Sequence, residues 1–319
     1  MSHWKKLISL VVPAYREEKN ISLLYTELTQ VLIRMEQKYD FEIILVNDGS
    51  PDKTWLEIEK LCVQDTTVKG INLSRNFGKE IALTAGIEHS LWNAVITLDG
   101  DGQHPVEKIP DFLREWESGY DIVYNKRPKI EWASFVKKLS SKLFYLIFNS
   151  LSEFSLESDT TDYRLLDRKV VIYFLKFTER NRLYRGIIDW IGFEKKALIF
   201  DAKTRLDSTN SASYSFKKLF KLAMDSITSF SVVPLKLVGY LGVIMTLLSS
   251  LLFIFVIIDK FTIDRFNFSN IAALILVNIS LIWVVLMGLG LIALYIARIH
   301  EEVQWRPMYI VKNTKNIKN

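Results

Sequence analysis

Two aspartates separated by one residue follow a short apolar segment in TLDGDGQHP, residues 97–105. Asp99 and Asp101 bring carboxylate oxygens and Gln103 brings an amide oxygen, and such oxygens are the ligands that Mg²⁺ and Mn²⁺ prefer. The same residue types are common in ordinary surface turns, so the segment alone does not distinguish a metal site from a turn. The distinction depends on the elements that position these side chains.

The first 125 residues alternate short apolar segments with helical patterns, which predicts a mostly parallel sheet covered by helices. Because the carboxyl ends of parallel strands meet at one edge, polar residues that follow the strands are expected to lie together there. Asp48 would then lie beside the aspartates, and this placement favours the metal interpretation. The predicted strands are 7–12, 41–47, 68–73, 94–98 and 121–125, and the predicted helices are 21–37, 54–64, 79–90 and 106–118.

Two long apolar segments occur late in the chain, at residues 232–258 and 271–297. Each is long enough to cross a hydrocarbon core of about 30 Å. Lysines and arginines lie before the first segment and after the second, which places both ends on the cytosolic side. We therefore expect a transmembrane hairpin in the cytoplasmic membrane, with both termini and the catalytic domain in the cytosol.

The remaining composition is consistent with that organisation. No signal peptide is recognised at the N-terminus. The net charge of +5 is explained largely by residues beside the apolar segments, so nucleic-acid binding is not expected. For the amphipathic segment 132–150, core packing and an interfacial position stay equally open, whereas the second such segment is predicted to be interfacial. The expected domains are a cytosolic catalytic domain (1–210), an interfacial helix (211–231), the hairpin (232–297) and a cytosolic tail (298–319), with the final NTKNIKN disordered.

Five segments, in this order, carry a resemblance to a known family: VVPAYREEKNI, VNDGSPDKT, RNFGKE, LDGDGQHP and DYRLLDRK. The set resembles the family 2 glycosyltransferases with the GT-A fold, which is a Rossmann-like, mostly parallel sheet with helices on both faces. It is most similar to the polyprenyl-phosphate group, which includes dolichol-phosphate mannose synthases and bacterial undecaprenyl-phosphate glucosyltransferases. The resemblance extends from about residue 7 to the segment near residue 311.

The resemblance implies a site for a sugar nucleotide and a divalent ion. Asp48 would contact the base or ribose, Asp99 the donor, and Asp101 and Gln103 the ion on the diphosphate. Two alternatives stay open: a solvated Lys79, and an Asp48 that caps the helix beginning near Pro51. The residues implied at the donor are Pro13, Tyr15, Glu17, Asp48, Gly78, Lys79, Asp99 and Arg205, and those implied in catalysis are Asp99, Asp101 and Asp162.

The implied acceptor is a polyprenyl phosphate, which is anionic at neutral pH and needs positioning more than deprotonation. Asp162 would therefore be an optional base, or it would orient Arg164 or the sugar. Within residues 180–193, Arg182, Arg185 and Trp190 are further candidates on the acceptor side. The residues expected to hold the acceptor phosphate are Arg127, Ser141, Lys142 and Arg164.

One departure from the family pattern affects the donor side. Relatives commonly have Gly-x-Ser-Lys-Tyr before the interfacial helix, whereas this chain has Ser213 at the lysine position. The resemblance therefore does not extend to the usual lid over the donor, on which the activity and the choice of sugar depend. His104 follows Gln103 as in relatives, and a packed or solvated histidine is favoured over a ligand.

Together these features predict an inverting hexosyltransferase that moves glucose from UDP-glucose to undecaprenyl phosphate at the cytosolic leaflet, with Mg²⁺ or Mn²⁺ as cofactor. GDP-mannose or a UDP-aminosugar is the alternative donor. A non-catalytic, nucleotide-binding membrane scaffold is the alternative class. A homo-oligomer and a downstream flippase are open as partners.

Overall fold

The computed structural model describes residues 5–91, 93–128, 160–180, 182–201 and 270–317, together with six isolated positions between 238 and 251. In this part of the chain, eight strands form one sheet in the order β7-β5-β6-β4-β1-β2-β3-β8. The strands are β1 Lys6–Ala14, β2 Tyr39–Asn47, β3 Val68–Leu73, β4 Ala94–Thr97, β5 Ile122–Lys126, β6 Thr160–Asp167, β7 Lys195–Ile199 and β8 Val311–Lys315. The helices are α1 Ile21–Leu32, α2 Thr54–Gln64, α3 Lys79–Glu88, α4 Ile109–Glu117, α5 Arg168–Lys176, α6 Tyr184–Ile191 and α7 Asn270–Val303.

The sheet is mostly parallel, as expected. Strand β1 pairs in parallel with both β2 and β4, and β2 pairs in parallel with β3. Strand β6 runs antiparallel between β4 and β5, and β8 runs antiparallel beside β3. The first four strands therefore end at the same edge of the sheet, where the sequence predicted the ligand site.

Helices cover both faces of the sheet, because alternate side chains of its central strands point to opposite sides. Ile8 and Leu10 of β1 belong to the core cluster that includes residues of α1, α2 and α4. Val11 belongs to the second cluster, which includes residues of α3, α5 and α6. The predicted α/β architecture is thereby confirmed.

The C-terminal segment was predicted to be a disordered tail, and this prediction was wrong for most of it. Residues 311–315 form β8, which pairs with β3. Asn316 then donates from Nδ2 to the carbonyl oxygens of Cys62 at 2.7 Å and Val68 at 2.8 Å. An edge strand is held by main-chain hydrogen bonds, which a polar sequence makes as well as an apolar one. The polar composition therefore misled the prediction.

The described residues give no structural support to the predicted membrane hairpin. Its second segment, 271–297, lies within α7, which has exposed side chains such as Leu274, Ile282 and Leu289. Among the helices in the described part of the chain, none meets the length and apolarity required of a membrane span. Most of the first segment lies outside the described residues, as do the two amphipathic segments, Ser141, Lys142, Arg205 and Ser213.

The chain is divided into two compact units. The sheet and the segment that follows Trp305 belong to one unit, and α7 belongs to the other. The candidate site described below lies entirely within the unit that contains the sheet.

Candidate active site

The loops that follow the first four strands are packed against one another. A methyl group on Gly49, after β2, would lie 2.2 Å from the carbonyl carbon of Arg75, after β3. Gly49 also has a φ of +61°, which only glycine adopts freely. A methyl group on Gly100, after β4, would lie 3.1 Å from the carbonyl oxygen of Pro13 near the end of β1. Glycine is thus required at position 49, and at position 100 a larger residue would have to displace the adjacent loop slightly.

Asp48 holds the loop that leads into α3. Its Oδ1 accepts the backbone N–H of Phe77 at 2.7 Å and its Oδ2 accepts that of Gly78 at 3.0 Å. Burial raises the pKa of Asp48, although these two hydrogen bonds favour the ionised form. The side chain is 2% exposed, which leaves little surface for a nucleoside. The alternative role as a cap is not seen, because α2 begins at Thr54.

The loop after β1 presents one exposed aromatic ring to this edge. Tyr15 is 40% exposed, whereas Pro13 is buried. Glu17 accepts a hydrogen bond from Asn20 Nδ2 at 2.6 Å, and its backbone N–H donates to Thr54 Oγ1 at 2.9 Å. These contacts attach the loop to α1 and α2 and leave Tyr15 available to a ligand.

A charged cluster lies where α3, the loop after β4, and β6 meet. Lys79 Nζ is 2.6 Å from both Asp99 Oδ1 and Asp162 Oδ2. Burial by itself would lower the pKa of Lys79, but the charges of Asp162 and Asp99 outweigh it, and the pKa is raised. Lys79 is therefore a cation that joins a carboxylate of the loop after β4 to one of β6, and it is not simply a solvated lysine.

Asp162 is held from its other side by Arg185. The Arg185 Nε atom is 2.8 Å from Asp162 Oδ1, and Arg185 Nη1 donates to the carbonyl oxygen of Thr160 at 2.8 Å. Burial opposes ionisation of Asp162, but Lys79 and Arg185 outweigh this effect, and its pKa is lowered. Both carboxylate oxygens are thus engaged by cations, which makes Asp162 a weak proton acceptor.

Arg164, which was expected to hold the acceptor phosphate, lies in the core instead. It is 1% exposed, its Nε donates to the carbonyl oxygen of Thr161 at 3.1 Å, and its Nη1 lies 3.7 Å from Asp189 Oδ1. Within the sheet, Arg164 lies opposite Thr97 of β4 and Tyr124 of β5. Because Arg164 is almost fully buried, a lipid phosphate does not reach it in this arrangement.

The aspartate motif has the geometry of a turn that can contribute to a metal site. The Gln103 N–H donates to Asp101 Oδ1 at 3.1 Å, and both side chains are partly exposed. His104 is buried, and its Nε2 lies 3.2 Å from Asp99 Oδ2. No group of three His, Cys, Asp or Glu side chains within the described ranges could hold a metal ion. Asp101 and Gln103 therefore fit a divalent ion only if phosphate and water oxygens complete its coordination.

Sequence reasoning missed Glu80 and Tyr184, which also meet at this edge. Glu80 Oε2 accepts the backbone N–H of Tyr184 at 2.9 Å, and the Tyr184 hydroxyl is 2.9 Å from Thr97 Oγ1. Burial, and secondarily the charge of Asp162, raises the pKa of Glu80 to about 7. Glu80 stands next to Lys79 in the sequence, but its partner lies 104 residues away. Of the remaining predicted residues, Arg127 is exposed just beyond β5.

Comparison with known proteins identifies relatives along almost the whole chain. Residues 9–175 match the model for Glycosyl transferase family 2. The chain is 39% identical over 306 residues to the uncharacterized glycosyltransferase sll0501 of Synechocystis sp., covering 96% of this chain and 95% of that protein. It is 35% identical over 308 residues to the bactoprenol glucosyl transferase of Shigella phage SfV, covering 97% of this chain and 99% of that protein. Among solved structures, S. aureus TarS 1–349 with UDP-GlcNAc aligns with a TM-score of 0.47 at 15% identity, over 71% of this chain and 66% of that chain.

Proposed function

The chain belongs to glycosyl transferase family 2 and has a GT-A-like α/β fold, and from this premise we propose that it transfers glucose from UDP-glucose to a polyprenyl phosphate. The predicted enzyme class, a glycosyltransferase, is confirmed by the family. The observation that carries the more specific proposal is the Asp99–Lys79–Asp162 cluster at the strand ends, in a chain related over nearly its full length to a bactoprenol glucosyl transferase.

On the donor side, we assign the nucleoside to Tyr15, Glu17 and the loop that Asp48 holds. Asp99 contacts the sugar or its diphosphate, and Asp101 and Gln103 hold the divalent ion. When bound, Mg²⁺ or Mn²⁺ would neutralise the departing nucleoside diphosphate as a Lewis acid. Pro13, Gly78, Lys79 and Arg205 stay proposed donor residues.

On the acceptor side, a phosphate nucleophile needs no general base, which agrees with an Asp162 whose two oxygens are already engaged. Asp162 is therefore assigned to positioning Lys79 and Arg185. Arg127, Ser141 and Lys142 stay the proposed contacts of the acceptor phosphate, and Arg164, which is buried in the core, is not among them. Direct attack by that phosphate inverts the anomeric centre. A lipid acceptor also places the enzyme at a membrane surface.

The test is transfer of labelled glucose in membranes that contain the full chain. UDP-glucose and undecaprenyl phosphate are expected to give an organic-extractable, acid-labile product whose formation requires Mg²⁺ or Mn²⁺. Asp101→Ala is expected to lower the rate by roughly 10²-fold, because an electrostatic contribution to the leaving group is lost. Asp111→Ala on the surface of α4 serves as the matched control.

GDP-mannose and a UDP-aminosugar are tested in parallel as donors. If only one of these donors gives a product, that donor replaces UDP-glucose in the proposal, and the proposed type of reaction stays the same. The absence of product from every sugar nucleotide, or an undiminished rate for Asp101→Ala, would overturn the proposed mechanism.

A further inference from the structure

Helix α6 begins without a capping side chain of its own. The residue before its first turn is Leu183, which makes no side-chain hydrogen bond to the helix. The first N–H groups of any helix have no partner within it, and a side-chain oxygen normally accepts one of them. In α6, the N–H of Tyr184 is accepted instead by Glu80 Oε2 at 2.9 Å, from the second residue of α3. Glu80 is thus a cap that one helix supplies to another.

This cap determines where Arg185 lies. Arg185 directly follows Tyr184, so the position of the first turn of α6 sets the position from which its side chain reaches Asp162. The Tyr184 hydroxyl adds a second contact, 2.9 Å from Thr97 Oγ1, and that oxygen donates to the carbonyl oxygen of Asp162 at 2.5 Å. The first two residues of α6 therefore both connect to Asp162. Arg185 contacts its carboxylate, and Tyr184 is linked to its carbonyl oxygen through Thr97.

The charge arrangement favours the same contact. A partly buried carboxyl at the start of α6 interacts favourably with the positive end of the helix dipole. On α3, the neighbouring residue Lys79 holds the other oxygen of Asp162. Two successive residues of α3 thus position the two contacts of the Asp162 carboxylate. Lys79 contacts it directly, and Glu80 acts through the first turn of α6.

We propose that Glu80 is a positioning residue for the transfer reaction, because it docks the first turn of α6 onto α3 so that Arg185 engages Asp162. This inference rests on the proposed function, in which Asp162 positions Lys79 and Arg185. Glu80 does not touch the substrates. Its removal is expected to lower kcat through misplacement of Arg185, while the KM for the sugar nucleotide changes little.

The experiment compares Glu80→Ala and Glu80→Gln in the full chain, with Glu88→Ala as the control. Glu88 is the last residue of α3 and likewise accepts one hydrogen bond, from the Tyr309 hydroxyl at 2.6 Å. Glu80→Ala should lower kcat by roughly tenfold or more, since small misplacements of reacting groups are costly. Glu80→Gln should stay within about threefold of the wild type, because its amide oxygen still accepts the Tyr184 N–H.

A double-mutant cycle separates positioning from general destabilisation. In an Arg185→Ala background, Glu80→Ala should cause no further loss of kcat, because the residue through which it acts is absent. The inference would be overturned by a wild-type kcat for Glu80→Ala. It would also be overturned if Glu80→Gln lost as much kcat as Glu80→Ala, or if the losses in the cycle were additive. If Glu80→Ala does not fold, Glu80→Asp replaces it and should lose kcat, since its carboxylate is one methylene short.

Amide hydrogen exchange distinguishes failure of this inference from failure of the proposed function. Glu80→Ala should increase exchange in the first turn of α6, at residues 184–187, relative to Glu88→Ala. If the wild type transfers no sugar, the proposed function fails. The exchange result alone then tests whether Glu80 docks the first turn of α6 onto α3. Unchanged exchange at these residues would overturn the docking even in an active enzyme.

Discussion

At the scale of single residues, Lys79 is the side chain on which the cluster depends most. It contacts a carboxylate from the loop after β4 and another from β6, each at 2.6 Å. Without this cation, Asp99 and Asp162 would be two like charges in a partly buried place, which disfavours ionisation of both. Lys79 therefore keeps the donor-side and acceptor-side carboxylates charged and in fixed positions.

Lys79→Met is expected to lower kcat/KM by roughly 10²-fold, comparable to the loss of one preorganised charge in an active site. The protein should still fold, because Arg185 still pairs with Asp162 and His104 still lies beside Asp99. The measurement is glucose transfer together with thermal unfolding. Lys60→Met, which removes an exposed lysine paired with Glu57 at 2.7 Å, should leave transfer unchanged. Activity close to the wild type would show that the cluster does not need this cation.

Glu80 should give the protein a specific pH dependence. Asp162, Lys79, Arg185 and Tyr184 face its carboxyl, and burial raises its pKa to about 7 from 4.5. Between these values the folded state holds a proton that the unfolded state has released, so stability falls as pH rises. Unfolding free energies measured from pH 4.5 to 7.5 should show this decline relative to Glu80→Gln, which carries no such proton. A constant difference between the two proteins across that range would contradict the expectation.

At the scale of elements, β8 is the strand whose contribution is easiest to measure. Its end is attached by Asn316, which has a φ of +57° and donates to the carbonyl oxygens of Cys62 in α2 and Val68 in β3. Asparagine tolerates this left-handed conformation better than most residues. The side chain thus serves both the turn and the attachment of the C-terminal segment to the sheet.

Asn316→Ala is expected to reduce the free energy of unfolding by about 1–3 kcal/mol, since two carbonyl groups lose their donor. Asn316→Gly retains the left-handed backbone conformation, so its change in the free energy of unfolding reports the loss of the side-chain hydrogen bonds alone. Lys312→Ala, at an exposed position of the same strand, is the neutral control. Equilibrium unfolding in urea measures all three, and equal stability of Asn316→Ala and Lys312→Ala would rule out the attachment.

At the scale of the whole molecule, the donor should stabilise the folded state, because its site is assembled from four strand ends that separate on unfolding. A ligand at 100 times its dissociation constant stabilises by about 2.7 kcal/mol. Thermal unfolding with UDP-glucose should therefore shift upward, and the shift should grow when Mn²⁺ is added. Asp101→Ala should lose the Mn²⁺-dependent part. A larger shift with GDP-mannose would identify a different donor.

The sequence by itself determined the local elements and the edge at which they present polar residues. The predicted strand 68–73 and helix 54–64 match the structure residue for residue, because apolar periodicity is a property of neighbouring positions. It also identified the family, through five motifs, four of which stand where β1 to β4 end. These features require only local order and the rule that parallel strands end together.

Only the tertiary structure determined which side chains contact one another in the site. Lys79 and Asp162 are 83 positions apart, and Glu80 and Tyr184 are 104 apart. Their contacts depend on the antiparallel register of β6 and on where α6 docks, neither of which local periodicity specifies. That register also buried Arg164 beside β4 and β5, while main-chain pairing with β3 turned a polar tail into a strand. Polar contacts over such distances follow from packing, which local sequence patterns do not encode.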